Sequence, residues 1–168
     1  MAIRDGWLVE WDVEGETTRR ILARVPGDAL AYTPHAKSPT MGWLANHLAL
    51  LPRWGIMTLT TTELDLALPE MQQHPVVPDA LEEILATFDE HAAAFRAVLA
   101  QQEDEAFMVP WTMRMGPEVI FTQPRSGVLR GMIFNHLVHH RAQLGVYLRL
   151  NNVPVPFTYG PTADESPM

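Results

Sequence analysis

SGVLRGMIFNHLVHHRAQLGVYLRL, residues 126–150, is the longest helix that the sequence predicts. Its apolar residues recur at spacings of three and four, the period of an α-helix with one buried face. Two consecutive asparagines follow it and favour a stop at Leu150. The residues that share the apolar stripe are Leu129, Met132, Ile133, Leu144 and Tyr147. A helix this long needs other amphipathic elements to cover that stripe.

Start and stop signals predict three further helices upstream. In the second, Ser38 is expected to cap and Pro39 to occupy the first helical position, while Pro52 lies inside the helix. In the third, Asp79 and Glu82 have the spacing of a capping box. The expected ranges are about 4–24, 39–60 and 79–102.

Four helices of about 20 residues in one chain indicate an all-α four-helix bundle. The connection 61–78 is polar and is interpreted as an ordered loop. A short hairpin is predicted before the last helix, around Gly116 and Pro117. We expect a single domain over residues 1–168, with 158–168 as a loosely ordered tail.

Composition excludes several classes of protein. The 168 residues contain no cysteine, which excludes disulfides, thiolate metal sites and a cysteine nucleophile. Lys and Arg total 12 against 20 Asp and Glu, a net charge of −8, so nucleic acid is not an expected partner. No apolar run is long enough for a membrane span, and acidic residues near the start argue against a signal peptide. We therefore expect a cytoplasmic protein.

Two of the seven histidines, His136 and His140, are spaced i, i+4 on the apolar stripe of the last helix. His47 lies on the apolar stripe of the second helix, between Leu44 and Leu51. Three inward imidazoles from two facing helices are typical of a catalytic metal site, in which a further coordination position stays open. About 0.3 such i, i+4 pairs arise by chance in this composition, so core histidines bonded to the backbone or to water are an equal alternative.

Several further residues are candidates for supporting roles. His139 and His91 are possible general bases or extra ligands, although an exposed polar residue and a core histidine are the simpler interpretations. Gln143, three residues after His140, is placed to bond a ligand's second nitrogen. Candidate substrate walls are Trp43, Trp54, Trp111 and Tyr147, although an ordinary core position is the simpler interpretation of each. His35 and His74 lie in loops and are assigned nothing.

Three segments of the sequence together resemble the DinB/YfiT-like family of metalloenzymes. The last helix contains a His-x-x-x-His-Arg-x-Gln-Leu motif, and the second helix contains a histidine after a small-residue turn. The segments, in chain order, are Ser38–Leu48 (SPTMGWLANHL), Asn135–Leu144 (NHLVHHRAQL) and Val153–Pro161 (VPVPFTYGP).

The resemblance implies a four-helix bundle with a divalent metal ion held by His47, His136 and His140. Zinc or nickel is the metal that it implies, and a homodimer is the implied assembly. Some members of this family are thiol-dependent transferases or isomerases that use low-molecular-weight thiols, and the family's name comes from damage-inducible expression.

We therefore expect a metal-dependent enzyme acting on a small-molecule substrate, either a thiol-dependent S-transferase or isomerase or a metal-assisted hydrolase. No catalytic residue other than the metal ligands is assigned. The alternatives are a non-catalytic, stress-related metal-binding bundle and a helical interaction module without metal.

Overall fold

The computed structural model describes residues 2–73 and 76–166. Its first three helices are α1 (Ile3–Leu22), α2 (Met41–Thr60) and α3 (Leu81–Ala100). A fourth, which we call the terminal helix, consists of α4 (Arg125–Val128), a π-helical segment (Leu129–Asn135) and α5 (His136–Leu150) without a break. The predicted four-helix bundle is confirmed.

Two of the predicted helix starts are wrong. Thr40, not Ser38, caps α2, because its hydroxyl accepts a hydrogen bond from the Trp43 backbone N–H at 3.1 Å. At α3 the N-cap residue is Ala80, which makes no side-chain cap. A capping box would need Asp79 at the N-cap, and Asp79 lies one residue before it, so the predicted Asp79–Glu82 capping box does not form.

A three-stranded sheet covers one end of the bundle, with the strand order β1 (Glu63–Asp65), β2 (Pro110–Met115), β3 (Glu118–Pro124). β2 and β3 are antiparallel and form the predicted hairpin, with Gly116 at a positive φ of 58° in its turn. β1 pairs in parallel with β2. This strand was not predicted, because three residues within a polar, proline-bearing connection give too short an alternation to recognise.

The main core lies between the four helices and is rich in aromatic side chains. Trp11 of α1 meets Phe95 of α3 edge to face, with ring centroids 4.8 Å apart, and also meets Phe134 of the terminal helix. Gly55 lets α2 approach Phe95, since a Cβ at this position would lie 2.5 Å from the ring. The predicted stripe of the terminal helix is confirmed at Leu129, Ile133, Leu144 and Tyr147, all of which are buried.

A second, smaller core lies beneath the sheet. It contains Leu64 of β1, Trp111 and Met113 of β2, and Val128 of the terminal helix. The Trp111 indole donates to the Thr61 hydroxyl at 3.1 Å. The sheet is thus fixed to the end of α2 and to the start of the terminal helix.

The described part of the C-terminal segment makes specific contacts with the bundle. Asp164 pairs with Arg149, and Glu165 pairs with Arg24. Tyr159 reaches the buried ion pair between Arg141 and Glu14. The single domain and the loosely ordered tail stay predictions. Within the two described ranges, no helix combines the length and the apolar character that crossing a bilayer requires.

Candidate metal centre

Three histidines, His47 of α2 and His136 and His140 of α5, meet at the interface between these helices. His136 Nε2 lies 3.2 Å from His47 Nε2 and 2.8 Å from His140 Nε2. One ring nitrogen from each residue lies within 4.8 Å of those of the other two. The sequence predicted these three as ligands, and the structure brings all three together.

The position of each ring follows from the helix that carries it. His136 and His140 stack on one face of α5 because four residues complete about one turn. His47 follows Leu44 by three residues, and Leu44 is fully buried in the core. All three histidines are half-buried.

Hydrogen bonds orient two of the rings. His140 Nδ1 lies 2.7 Å from the Gln143 side-chain oxygen, which can only accept, so Nδ1 carries the proton. The Met132 backbone also bonds to the His136 ring, and this bond opposes the lowering of the His136 pKa. In the neutral His140 ring Nε2 therefore presents its lone pair toward His136 Nε2, 2.8 Å away.

The spacing of the ring nitrogens fits a shared cation. Nitrogens bound to a single zinc-like ion at about 2.1 Å, with angles between 90° and tetrahedral, lie about 3.0–3.4 Å apart. The two observed Nε2 separations, 3.2 and 2.8 Å, are near this range. The arrangement fits the three-imidazole face of a metal site.

The local electrostatics keep the rings neutral at neutral pH. Burial, with repulsion from His140 and His136, lowers the pKa of His47 to about 4. Burial also lowers the pKa values of His136 and His140, although their bonds to Met132 and Gln143 oppose the shift. Neutral imidazole is the form that coordinates a metal ion.

The Trp43 side chain packs over one face of the histidine cluster. Its indole stacks on the His47 ring with the centroids 4.7 Å apart and the planes 11° from parallel, and it meets His140 edge to face. Trp43 is itself 38% exposed. It thus limits the rotation of His47 and separates one side of the cluster from bulk water.

A cavity of about 750 Å³ opens beside His47. One wall is the face of α2 that includes Trp43, Leu50 and Trp54. The other wall is formed by β1 and the loop that follows it, with Leu64 and Leu68 among its residues. The volume lies in the range of small-molecule sites.

The remaining candidates lie outside the cluster. His91 Nδ1 lies 3.0 Å from the Ala49 backbone oxygen, which makes it a bonded histidine between α3 and α2. His139 is exposed, with its ring 4.9 Å from that of His140. Tyr147 is buried and donates to the Pro39 carbonyl at 3.2 Å. His35 is exposed, and His74 lies outside the described residues.

Sequence reasoning missed the polar residues of the cavity wall. Arg53, Glu63, Asp65 and Arg114 all line the cavity. Glu63 and Asp65 belong to β1, and Arg114 belongs to β2. Because β1 has only three residues, its pairing with β2 cannot be recognised from the sequence. Arg53 follows Pro52 on α2, and only the structure shows that it lies at the cavity.

The chain is similar to known proteins over nearly its whole length. The sequence profile of the DinB family matches residues 6–167. The curated protein YrdA of Bacillus subtilis, an uncharacterized protein, is 27% identical over 161 residues, covering 96% of this chain and 90% of YrdA.

Three solved structures share the fold. A DinB-like protein from Bacillus cereus is 25% identical with a TM-score of 0.72, and the match covers 94% of this chain and 98% of that one. DinB-like YjoA from Bacillus subtilis is 17% identical with a TM-score of 0.69, covering 90% and 96%. YfiT from Bacillus subtilis, a probable metal-dependent hydrolase with an unusual four-helix bundle topology, is 17% identical with a TM-score of 0.60, covering 89% and 87%.

Proposed function

The chain belongs to the DinB family, and on that premise we propose that it is a metal-dependent enzyme whose divalent ion is held by His47, His136 and His140. The observation that supports this most strongly is the close approach of three imidazole nitrogens, with His136 Nε2 lying 2.8 Å from His140 Nε2 and 3.2 Å from His47 Nε2. Three protein ligands leave positions for water or substrate, which is the arrangement of catalytic sites.

Zinc or nickel is the proposed metal. Neutral imidazole suits several first-row divalent ions, and of these zinc and nickel are the two that the family resemblance implies. The residues around the cluster support binding of either ion. Gln143 fixes the tautomer of His140, and Trp43 packs flat against His47, so both rings are oriented before an ion binds.

Hydrolysis of a small organic substrate is the reaction that we propose first. A bound divalent ion would supply Lewis acidity, which lowers the pKa of water to about 7 and deprotonates a thiol. This chain's own residues would orient the ligand imidazoles and surround the substrate with apolar walls. YfiT shares this fold and is described as a probable metal-dependent hydrolase, which supports the same class here.

Thiol-dependent transfer or isomerisation is the second candidate. The chain has no cysteine, so the sulfur nucleophile would come from a low-molecular-weight thiol. The cavity beside His47 is large enough for an organic cosubstrate, which supports thiol-dependent transfer or isomerisation.

The test measures both reactions on metal-free protein and on protein reloaded with zinc or nickel. Hydrolysis is measured with p-nitrophenyl esters and phosphate esters, and transfer with glutathione and an aryl chloride. We expect one activity to appear on reloading, to disappear in His47→Ala and to persist in His35→Ala, a histidine remote from the cluster.

The outcomes separate the candidates. Metal-restored hydrolysis supports the first, and metal-restored transfer supports the second. Stoichiometric metal binding without either activity would favour the non-catalytic metal-binding bundle. Activity that survives His47→Ala undiminished would overturn the proposed site.

A further inference from the structure

We propose that the cavity beside His47 binds a small organic anion with an apolar body, and that Arg53 binds its anionic group. Such an anion would be the substrate of the candidate metal centre, and this role rests on the proposed function. The binding itself does not require the metal ion.

Apolar side chains lie on both facing walls of the cavity. On α2 they are at positions 43, 50, 54 and 57, successive residues of one helix face that also carries His47. Opposite them lie Leu64, Leu68 and Met71. A ligand between these walls would gain free energy by burying apolar surface on both sides.

The charged groups on the sheet side of the cavity bond to one another and to the backbone. Arg114 pairs with Glu63 at 3.0 Å and with Asp65 at 3.5 Å. Asp65 also accepts the backbone N–H groups of Gly116 and Ala67, and these bonds lower the pKa of its carboxyl. Each of these groups thus has a partner, and the three together carry a net charge of −1.

Arg53 differs from Arg114 in this respect. It is exposed at the cavity wall, and no described residue forms an ion pair or hydrogen bond with its guanidinium. It lies six residues after His47, about 9 Å along the helix axis. A guanidinium binds a carboxylate through two parallel hydrogen bonds, so this position suits the far end of a ligand whose reactive end is at His47.

Glu70 is the competing charge, because it also lines the cavity and has no partner among the described residues. It belongs to the irregular connection between β1 and α3, whereas Arg53 lies on the same helix as His47. A charged group on a helix is held in a more constant position relative to the cluster. We therefore place the anionic group of the ligand at Arg53.

Two fluorescent probes with one ring system provide the test. 1-Anilinonaphthalene-8-sulfonate is an anion, and N-phenyl-1-naphthylamine is its neutral counterpart. Both are titrated into metal-free protein and into four variants. Arg53→Gln removes the proposed anion site, Glu70→Gln removes the competing charge, and Leu68→Ala removes part of the apolar wall. Arg130→Gln is the matched control, because Arg130 pairs with Glu10 away from the cavity.

We expect Arg53→Gln to weaken binding of the anionic probe at least about fivefold, which corresponds to about 1 kcal/mol, and to leave the neutral probe unchanged. Leu68→Ala should weaken both probes, and Arg130→Gln neither. The proposal is overturned if Arg53→Gln leaves the anionic probe unaffected, weakens both probes equally, or is matched by Arg130→Gln. Because the titration uses metal-free protein, a failure of metal binding leaves its result interpretable.

Discussion

A single side chain, Gln143, determines which nitrogen of His140 faces the cluster. Its oxygen lies 2.7 Å from Nδ1, and that contact leaves Nε2 with its lone pair toward His136. Without it the two tautomers of His140 become closer in energy, and only one of them binds a metal ion through Nε2.

We therefore predict that Gln143→Ala lowers zinc or nickel affinity by about tenfold or more, the usual effect of losing a bond that orients a ligand. Affinity is measured by competition with a chromophoric chelator. Gln101→Ala, at an exposed position just after α3, serves as the control. Unchanged affinity in Gln143→Ala would show that His140 needs no such orientation.

The sequence predicted the individual residues of the histidine cluster but not those of the cavity beside it. The i, i+4 spacing of His136 and His140 and the place of His47 on an apolar stripe were sufficient to predict the cluster, because helix geometry is regular. Arg53 could not be assigned in the same way. Its role depends on β1 and the following loop, which are brought to α2 only by tertiary packing.

Among the elements, α2 and α3 pack most closely at Gly55. The ring of Phe95 occupies the space that a Cβ at this position would need, with the nearest carbon 2.5 Å away. A methyl group here forces the ring or the helix to move, in a core that has little free volume.

Gly55→Ala is therefore expected to lower the free energy of unfolding by about 1–3 kcal/mol. Gly6→Ala on α1 is the matched control, since no atom lies within 4 Å of its added methyl. That change should raise stability by up to about 1 kcal/mol through helix propensity. Urea denaturation measures both, and equal effects of the two substitutions would contradict the close packing.

An ion pair links α1 to α3 at the surface. Both oxygens of Asp12 accept from Arg96, at 2.7 and 2.9 Å, and these hydrogen bonds lower the pKa of the Asp12 carboxyl from its ordinary value of 3.8. Since the pKa is depressed in the folded state, the pair stabilises the fold above pH 3.8. That contribution is lost as the pH falls through the folded pKa.

Asp12→Asn should thus lower stability at pH 7 by a few tenths of a kcal/mol, as is usual for an exposed pair, and by less at pH 3, which lies below the ordinary pKa of 3.8. Denaturation at the two pH values gives the comparison. Asp28→Asn, at an exposed position without an ion-pair partner among the described residues, is the control. An effect of Asp12→Asn that is the same at both pH values would contradict this assignment.

The sequence predicted some secondary-structure elements more accurately than others. Long amphipathic patterns gave all four helices, because burying one face requires a stripe that repeats along the whole element. Helix starts were less accurate, since Ser38, Thr40 and Asp79 are all suitable caps and the local packing selects among them. The π-helical segment before His136 has no sequence signal that we recognised.

In the molecule as a whole, one buried ion pair joins three parts of the chain. Arg141 of α5 is 2% exposed and lies 2.7 Å from Glu14 of α1, which is 8% exposed. Thr18 accepts a further hydrogen bond from Arg141, and Tyr159 of the C-terminal segment donates to Glu14. The pair therefore ties the helix that carries His136 and His140 to the opposite side of the bundle.

Arg141→Met should destabilise the protein by about 3–5 kcal/mol, because it leaves the Glu14 carboxylate buried without its partner. Adding Glu14→Gln should restore part of the loss. Arg149→Gln, which removes the exposed pair with Asp164, should cost less than about 1 kcal/mol. Chemical denaturation of the three variants gives the comparison. A loss in Arg141→Met no larger than that in Arg149→Gln would contradict the buried role.

The homodimer and the cytoplasmic location predicted from the sequence stay predictions. Membership of the DinB family and the four-helix bundle are established, and both depend on patterns that extend over most of the chain. The metal and the reaction depend instead on a few side chains, so they require direct measurement.

The most direct test is the metal content of untagged protein by mass spectrometry, beside His47→Ala, His140→Ala and the control His35→Ala. We predict about one zinc or nickel ion per chain in the parent and in the control, with a large loss in both cluster variants. A parent protein that stays metal-free when offered zinc and nickel, or cluster variants that retain the ion, would contradict the metal site.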